Sequence, residues 1–267
     1  MLWAMSDVLL LEQVHLRYPD ILSDEEWASI AENGEMYLNG DDHYAASVNH
    51  NYDFTEEKTR WEWTALTSSL RWRAVKELLK PDTNPSRVMD FGTHTGAHAV
   101  DMSNWFPNTR VFAREIVLDI IPAIEFTIKN YAKNPGQINY DIGDHRNPPL
   151  PKDLDLLYAG EVYEHMYNWR GFITALENAC RPGGQLILTV PNGPWEVNGT
   201  RHIHVAEWRV DDLMEVFGTR PGFKTLEILN RVPGGFPQGW VLFTWEATPG
   251  EPFGEVNWDR KLAQWGF

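Results

Sequence analysis

The stretch Val88-Met-Asp-Phe-Gly-Thr-His-Thr-Gly96 predicts a strand that ends near Asp90 and turns, through Gly92 and Gly96, into a helix. Glycines at such a turn let a ligand approach the backbone, and the first turn of the helix offers free N–H groups. A dinucleotide fingerprint would place a glycine at position 94, where this chain has His94, so a nicotinamide cofactor is disfavoured. Because histidine tolerates a left-handed backbone better than most residues, we expect the turn itself to form.

From residue 86 onward, short apolar runs alternate with segments of helix length. Strands separated by helices imply right-handed crossovers, and therefore an α/β fold with a mostly parallel sheet. The predicted strands are Arg87–Phe91, Arg110–Glu115, Gln137–Asp141, Leu154–Ala159, Gln185–Val190, Lys224–Leu229 and Trp240–Glu246. The predicted helices are 96–105, 119–132, 168–180 and 209–217. A loop rich in Gly and Pro joins the last two strands, so we expect one of them to be an antiparallel edge strand.

The region before this pattern has a different texture. Ser23 and Glu26 form a capping-box pattern that predicts a short helix through Ile30, and residues 55–80 carry apolar side chains at helical spacing. Pro and Asn residues at 81–85 separate this region from the rest. We therefore predict an N-terminal helical cap or extension over residues 1–85 and a second domain over residues 86–267.

Composition narrows the class of partner and compartment. The 267 residues carry 38 acidic and 23 basic side chains, a formal charge of −15, which argues against nucleic acid as a partner. No apolar run approaches the length of a membrane span. Cys180 is the only cysteine, so an internal disulfide is impossible and a reducing, cytoplasmic location is expected.

Acidic residues follow the next predicted strands. Glu115 closes the second strand, where a carboxylate is positioned to accept both ribose hydroxyls of a nucleoside cofactor. Asp144 and His145 follow the third strand. The fourth strand runs into Glu161-Val-Tyr-Glu164-His165, and a helix, a Pro-Gly-Gly turn and a strand ending in Pro-Asn come after it.

Taken together, these segments resemble class I S-adenosylmethionine-dependent methyltransferases over about two thirds of the chain. The resemblance implies a Rossmann-like, mostly parallel seven-stranded sheet with helices on both faces, and S-adenosyl-L-methionine as cofactor. It assigns cofactor binding to the residues at the ends of the first four strands, namely Asp90, Gly92, Thr93, Gly96, Glu115, Asp144, His145 and Glu161.

The Glu-x-x-Glu-His segment has a second interpretation. If it opens a helix, Glu161, Glu164 and His165 lie on one face at i, i+3 and i+4, and could bind Mg or Mn together with His202 or His204. The pattern resembles small-RNA 3′-terminal 2′-O-methyltransferases, in which a metal holds the terminal ribose hydroxyls, and ubiquinone-biosynthesis O-methyltransferases. In many other members, however, Glu-His after the fourth strand shapes the pocket without a metal.

The function predicted from the sequence is methyl transfer to a small-molecule acceptor, most simply to a hydroxyl oxygen. A hydroxyl acceptor must lose its proton, and His165 is the candidate base. Two alternatives stay open, a metal-dependent small-RNA 3′-terminal 2′-O-methyltransferase and a non-catalytic methyltransferase-like binding module. The acceptor's identity and the oligomeric state are also open.

Overall fold

The computed structural model describes residues 54–79, 84–143, 145, 148–166, 169–192, 208–230, 238–257 and 260. Within this part, one sheet of seven strands has the order β3-β2-β1-β4-β5-β7-β6. The strands are β1 Arg87–Phe91, β2 Arg110–Glu115, β3 Ile138–Ile142, β4 Leu154–Gly160, β5 Cys180–Pro191, β6 Lys224–Asn230 and β7 Gln238–Glu246. The first five pair in parallel, which confirms the predicted α/β fold.

The position of the antiparallel strand differs from the prediction. β7 is antiparallel to both β5 and β6, but it lies between them instead of at the edge. The reason is its composition, because Val241, Leu242 and Phe243 are fully buried and need cover on both faces. The described side chains of β6 are partly or fully exposed, which suits the edge position.

Six helices accompany the described strands, together with three short 3₁₀ turns. The helices are α1 Glu56–Ser68, α2 Leu70–Leu78, α3 Ala97–Trp105, α4 Ile121–Tyr131, α5 Trp169–Ala179 and α6 Val210–Phe217. The turns are Leu118–Ile120, Pro135–Gln137 and Tyr163–His165. The periodicity predicted a helical stretch over 55–80, but the chain breaks at Ser69, whose backbone N–H donates to Leu66 and whose hydroxyl accepts from the N–H of Trp72.

Two cores cover the two faces of the sheet, as predicted. On one face, α5 and α6 pack Phe172 and Phe217 against apolar side chains of β4, β5 and β7. On the other face, α2 and α3 pack Trp72 and Val100 against the alternate residues of the same strands and of β1. The sheet is therefore covered on both sides.

The described part of the N-terminal region packs directly on this second core. Trp72 is 1% exposed, and its indole N–H donates to Asp101 of α3 at 2.6 Å. The predicted boundary at residue 85 stays a prediction, and the predicted helix from Ser23 to Ile30 lies outside the described residues. No helix in the described part combines the length and the apolar character that a bilayer span requires.

Candidate active site

A cavity of about 370 Å³ lies at the carboxyl ends of β1, β2 and β4. In sheets of this kind, ligands bind where the strand order reverses, and here β1 and β4 are the neighbours at that point. Six of the predicted site residues line the cavity, namely Gly92, Thr93, Glu115, Glu161, Glu164 and His165. Apolar side chains, among them Leu66, Val162 and Met166, form much of the remaining wall.

The turn after β1 has the backbone that the sequence predicts. Gly92, His94 and Gly96 all have positive φ, at 72°, 51° and 78°, so His94 adopts the left-handed conformation that a glycine would provide. The N–H groups of Gly92 and Thr93 both donate to the carbonyl oxygen of Arg114 at 2.9 Å. These bonds fix the turn to the end of β2.

Glu115 is held by three backbone N–H groups. Its Oε2 accepts from His94 at 2.7 Å, and its Oε1 accepts from Ile116 at 2.8 Å and Val117 at 3.2 Å. The carboxylate therefore ties the glycine turn to the residues after β2. Since each carboxylate oxygen can accept two hydrogen bonds, Oε2 retains capacity for a ligand hydroxyl.

Three other predicted cofactor residues do not line the cavity. Asp90 is fully buried behind the turn, where its Oδ2 accepts from the Thr93 hydroxyl at 2.5 Å. Gly96 is the N-cap of α3, and His145 packs edge-on against Phe172. Contact of these residues with a cofactor stays a prediction, and Asp144 lies outside the described residues.

Burial raises the pKa of Asp90 to about 7, against the opposing hydrogen bond from Thr93. A carboxyl group without water around it favours the neutral form. Asp90 contacts the glycine turn through its hydrogen bond with Thr93. Its protonation state changes near neutral pH.

The segment after β4 does not form the helix on which the metal hypothesis was built. Glu161 lies in a left-handed conformation with φ 58°, and only Tyr163–His165 forms a single 3₁₀ turn. The prediction that Glu161, Glu164 and His165 share one face of a helix is therefore wrong. Tight turns nevertheless bring all three side chains, Glu161, Glu164 and His165, to the cavity wall.

No group of three His, Cys, Asp or Glu side chains suited to a metal ion occurs among the residues that the structure describes. Glu161 is instead occupied by an ion pair with Arg71 and a hydrogen bond from Thr189. His202 and His204 lie outside the described residues, so the metal site as a whole stays a prediction.

The two carboxyl groups after β4 have shifted pKa values. Burial raises the pKa of Glu164 well above its usual range, and the nearby charge of Glu161 raises it further. Burial also raises the pKa of Glu161, while the Arg71 guanidinium opposes that shift. The Nε2 atom of His165 lies 3.9 Å from Oε1 of Glu164, so an imidazolium formed at His165 would have a carboxyl group beside it.

Arg71 belongs to the site although no sequence motif identifies it. It lies on α2, lines the cavity with a side chain 13% exposed, and places Nη1 3.3 Å from Oε1 of Glu161. The next residue, Trp72, stacks on the ring of His98 at 4.3 Å and so fixes the helix above the site. Burial and the charge of Arg71 keep the pKa of His98 well below its usual range, so this imidazole is neutral.

The fold and the cavity define a class of protein that binds a nucleoside cofactor at the carboxyl edge of a mixed seven-stranded sheet. The sequence model of a family described as "Methyltransferase domain" matches residues 61–232. This chain belongs to that methyltransferase family, whose methyl donor is S-adenosylmethionine.

Two curated relatives are O-methyltransferases by name. The mitochondrial ubiquinone biosynthesis O-methyltransferase of Schizosaccharomyces pombe is 26% identical over 166 residues, 57% of this chain and 58% of that protein. Malonyl-[acyl-carrier protein] O-methyltransferase 2 of Ilyobacter polytropus is 22% identical over 102 residues, 38% of each chain. In both cases the similarity spans less than two thirds of the relative's length.

Among solved structures, a SAM-dependent methyltransferase from Aquifex aeolicus has a similar fold. It is 16% identical, with a TM-score of 0.51 over 73% of this chain and 100% of that chain. The Rossmann-like methyltransferase fold predicted from the sequence is thereby confirmed.

Proposed function

We propose that the protein transfers a methyl group from S-adenosylmethionine to a hydroxyl oxygen of a small molecule. The observation that carries this proposal is that one cavity brings together the glycine turn, the Glu115 carboxylate and the His165 imidazole. The first two suit a nucleoside cofactor, and the third suits removal of a proton from an acceptor.

The cofactor half of the cavity fits S-adenosylmethionine. Glu115 offers a hydrogen-bond acceptor for the ribose, and Gly92 and Thr93 line the same cavity. S-adenosylmethionine supplies an electrophilic methyl group on a sulfonium, so the protein's main tasks are to orient the acceptor and to exclude water.

The acceptor half is formed by the residues after β4. His165 is buried, and its backbone N–H donates to the carbonyl of Val162 at 3.0 Å, which fixes the turn that presents the imidazole. An imidazole nitrogen of His165 accepts the proton of the acceptor hydroxyl as that oxygen becomes nucleophilic. Glu164 then lies beside the charged ring. The apolar walls at Leu66 and Met166 keep water from the reacting atoms.

The two curated relatives favour oxygen as the accepting atom, because both carry O-methyltransferase in their names. The two names differ beyond that, since one refers to ubiquinone biosynthesis and the other to malonyl-[acyl-carrier protein]. We therefore propose the chemistry, methyl transfer to oxygen, and take the acceptor class from the site alone.

The experiment has two stages. Calorimetry should show that the full chain binds S-adenosylhomocysteine, and absence of binding at millimolar ligand would exclude the methyltransferase proposal. A transfer assay with methyl-labelled S-adenosylmethionine should then label hydroxyl compounds in preference to amines of matched shape. Labelling of amines alone would overturn the O-methyltransferase assignment. The same assay with a metal chelator added tests the separate prediction of a metal site.

A further inference from the structure

We propose that Arg71 binds the methyl acceptor, and that this acceptor carries an anionic oxygen, such as a carboxylate, in addition to the atom that is methylated. The inference rests on the proposed function, since it assigns the acceptor half of the same cavity. It concerns a residue of α2, outside every motif of the sequence.

The position of Arg71 suits contact with the acceptor. Its guanidinium lies against Glu161, which directly follows β4. In the sheet, β1 separates β4 from β2, so Arg71 and Glu115 lie on opposite sides of the point where the strand order reverses. The neighbouring Trp72 is locked between α3 and the sheet by its hydrogen bond to Asp101 and its stack on His98. The backbone that carries Arg71 is therefore held firmly at the wall of the cavity.

The hydrogen-bond capacities of Arg71 and Glu161 are unequal. An arginine side chain has five N–H donors, but the described residues give the Arg71 guanidinium one ion-pair partner, Glu161, at 3.3 Å. The Tyr158 and Glu164 side chains also lie near this charge, and the centroid of the Trp240 ring is 5.8 Å from Cζ of Arg71. Donors that remain at the cavity wall are suited to an incoming oxygen.

Glu161, by contrast, is already well supplied with donors. Its Oε1 accepts from the Thr189 hydroxyl at 2.9 Å, and the Trp240 side chain and Arg71 also donate to the carboxylate. A cationic acceptor would have to displace these donors to reach Glu161. An anionic acceptor needs no displacement at Arg71, because the unused donors are on the guanidinium.

The charge of Arg71 agrees with this assignment. Its guanidinium is a cation in a poorly solvated site, where an anionic oxygen is costly unless a positive group pairs with it. The planar guanidinium also matches a carboxylate in two parallel hydrogen bonds.

Three probes of one shape and different charge test the proposal. Benzoate, benzamide and benzamidine are titrated calorimetrically into the full chain saturated with S-adenosylhomocysteine. We expect benzoate to bind about tenfold more tightly than the other two, as one charge-assisted contact provides. Arg71→Gln should remove this preference, and Arg71→Lys should weaken benzoate binding by a smaller factor.

Arg73→Gln is the matched control, because Arg73 is exposed on the same helix, and this variant should keep the preference for benzoate. Thermal unfolding and S-adenosylhomocysteine affinity are measured for every variant, so that a folding defect is separated from a binding defect. If Arg71→Gln does not fold, Arg71→Lys decides the question, because unchanged benzoate affinity in that variant contradicts the proposed contact.

Two results overturn the inference while leaving methyl transfer standing. In one, the chain binds S-adenosylhomocysteine but not benzoate at millimolar concentration. In the other, benzamidine binds most tightly, which would mean that Glu161 and Glu164 select a cation. Failure to bind S-adenosylhomocysteine at all contradicts the proposed function itself, and the inference then falls with it.

Discussion

Gly92 and Val162 come into such close contact that a Cβ atom on Gly92 would lie 2.4 Å from Cγ2 of Val162. Gly92 belongs to the turn after β1, and Val162 to the turn after β4. The contact therefore joins the cofactor half of the cavity to the acceptor half. Two separate demands, positive φ and missing space, both require glycine at this position.

Gly92→Ala should impair cofactor binding more than a backbone penalty alone explains. An alanine at positive φ costs about 1–2 kcal/mol, and the contact with Val162 forces the two turns apart in addition. We expect the dissociation constant for S-adenosylhomocysteine, measured by calorimetry, to rise about tenfold or more.

Gly183→Ala separates the two effects. Gly183 has φ 75°, nearly the same as Gly92, but a Cβ there meets no atom of the described residues within 4 Å. This variant should lose stability by the backbone penalty and keep its affinity for S-adenosylhomocysteine. Equal affinity losses in both variants would show that the Val162 contact is unimportant.

Glu115→Gln should weaken both the turn and the cofactor site. A glutamine side chain accepts on one atom only, so at least one of the three backbone N–H groups loses its acceptor. We expect a loss of about 1–3 kcal/mol in the free energy of unfolding and about tenfold or more in S-adenosylhomocysteine affinity. Chemical denaturation and calorimetry measure the two quantities.

Glu125→Gln serves as the control for that substitution. Glu125 is exposed on α4 and accepts a hydrogen bond from Tyr140 at 2.6 Å, outside the cavity. Its replacement should leave the affinity for S-adenosylhomocysteine unchanged. Wild-type affinity in Glu115→Gln would rule out a ribose contact for Glu115.

His165→Ala should lower turnover by about 10²- to 10⁴-fold and change S-adenosylhomocysteine affinity little, because a general base acts on the acceptor proton. Added imidazole should restore part of the rate, since the substitution leaves space at the cavity wall. The loss should also shrink as the pH rises and the acceptor hydroxyl ionises unaided. Parallel losses of turnover and cofactor affinity would instead indicate a purely structural role.

Local pattern was sufficient to predict most of the sheet. β1 and β2 begin and end at the predicted residues, and each begins shortly after a proline, Pro85 or Pro107. The place of β7 could not be predicted in the same way. Its insertion between β5 and β6 depends on which strands share a buried face, a long-range property of the chain.

In the candidate site, too, local features were predicted from the sequence and features that depend on distant contacts were not. The left-handed His94 was predicted, since it follows from the residue type and the spacing of the flanking glycines. The short 3₁₀ turn after β4 was not, because Glu161-Val-Tyr-Glu-His fits a helix equally well by composition. Arg71 was missed because a single arginine on an amphipathic helix normally faces solvent, and only the packing of Trp72 shows that it does not.

Asp90→Asn should make the protein more stable at pH 8 and, by a smaller margin, at pH 5. The folded-state pKa of Asp90 is about 7, and an unfolded aspartate titrates near about 4. Between these values the folded state holds a proton that the unfolded state has lost, so the stability of the wild type falls as the pH rises. Asparagine keeps an oxygen to accept from Thr93 and removes this slope, with a gain of at most about 4 kcal/mol at pH 8.

Asp155→Asn is the control of opposite sign. Burial disfavours the charge of Asp155, but hydrogen bonds from Arg181 and Ser86 outweigh it and lower the pKa to about 2. Its stabilisation is therefore complete above about pH 4 and is lost only as the pH falls towards 2. Denaturation curves for the Asp155 variant should show the same loss at pH 5 and pH 8, whereas the difference between Asp90→Asn and the wild type should grow across that interval. A flat difference for Asp90→Asn would mean that its carboxyl titrates in the ordinary acidic range and that water reaches it behind the glycine turn.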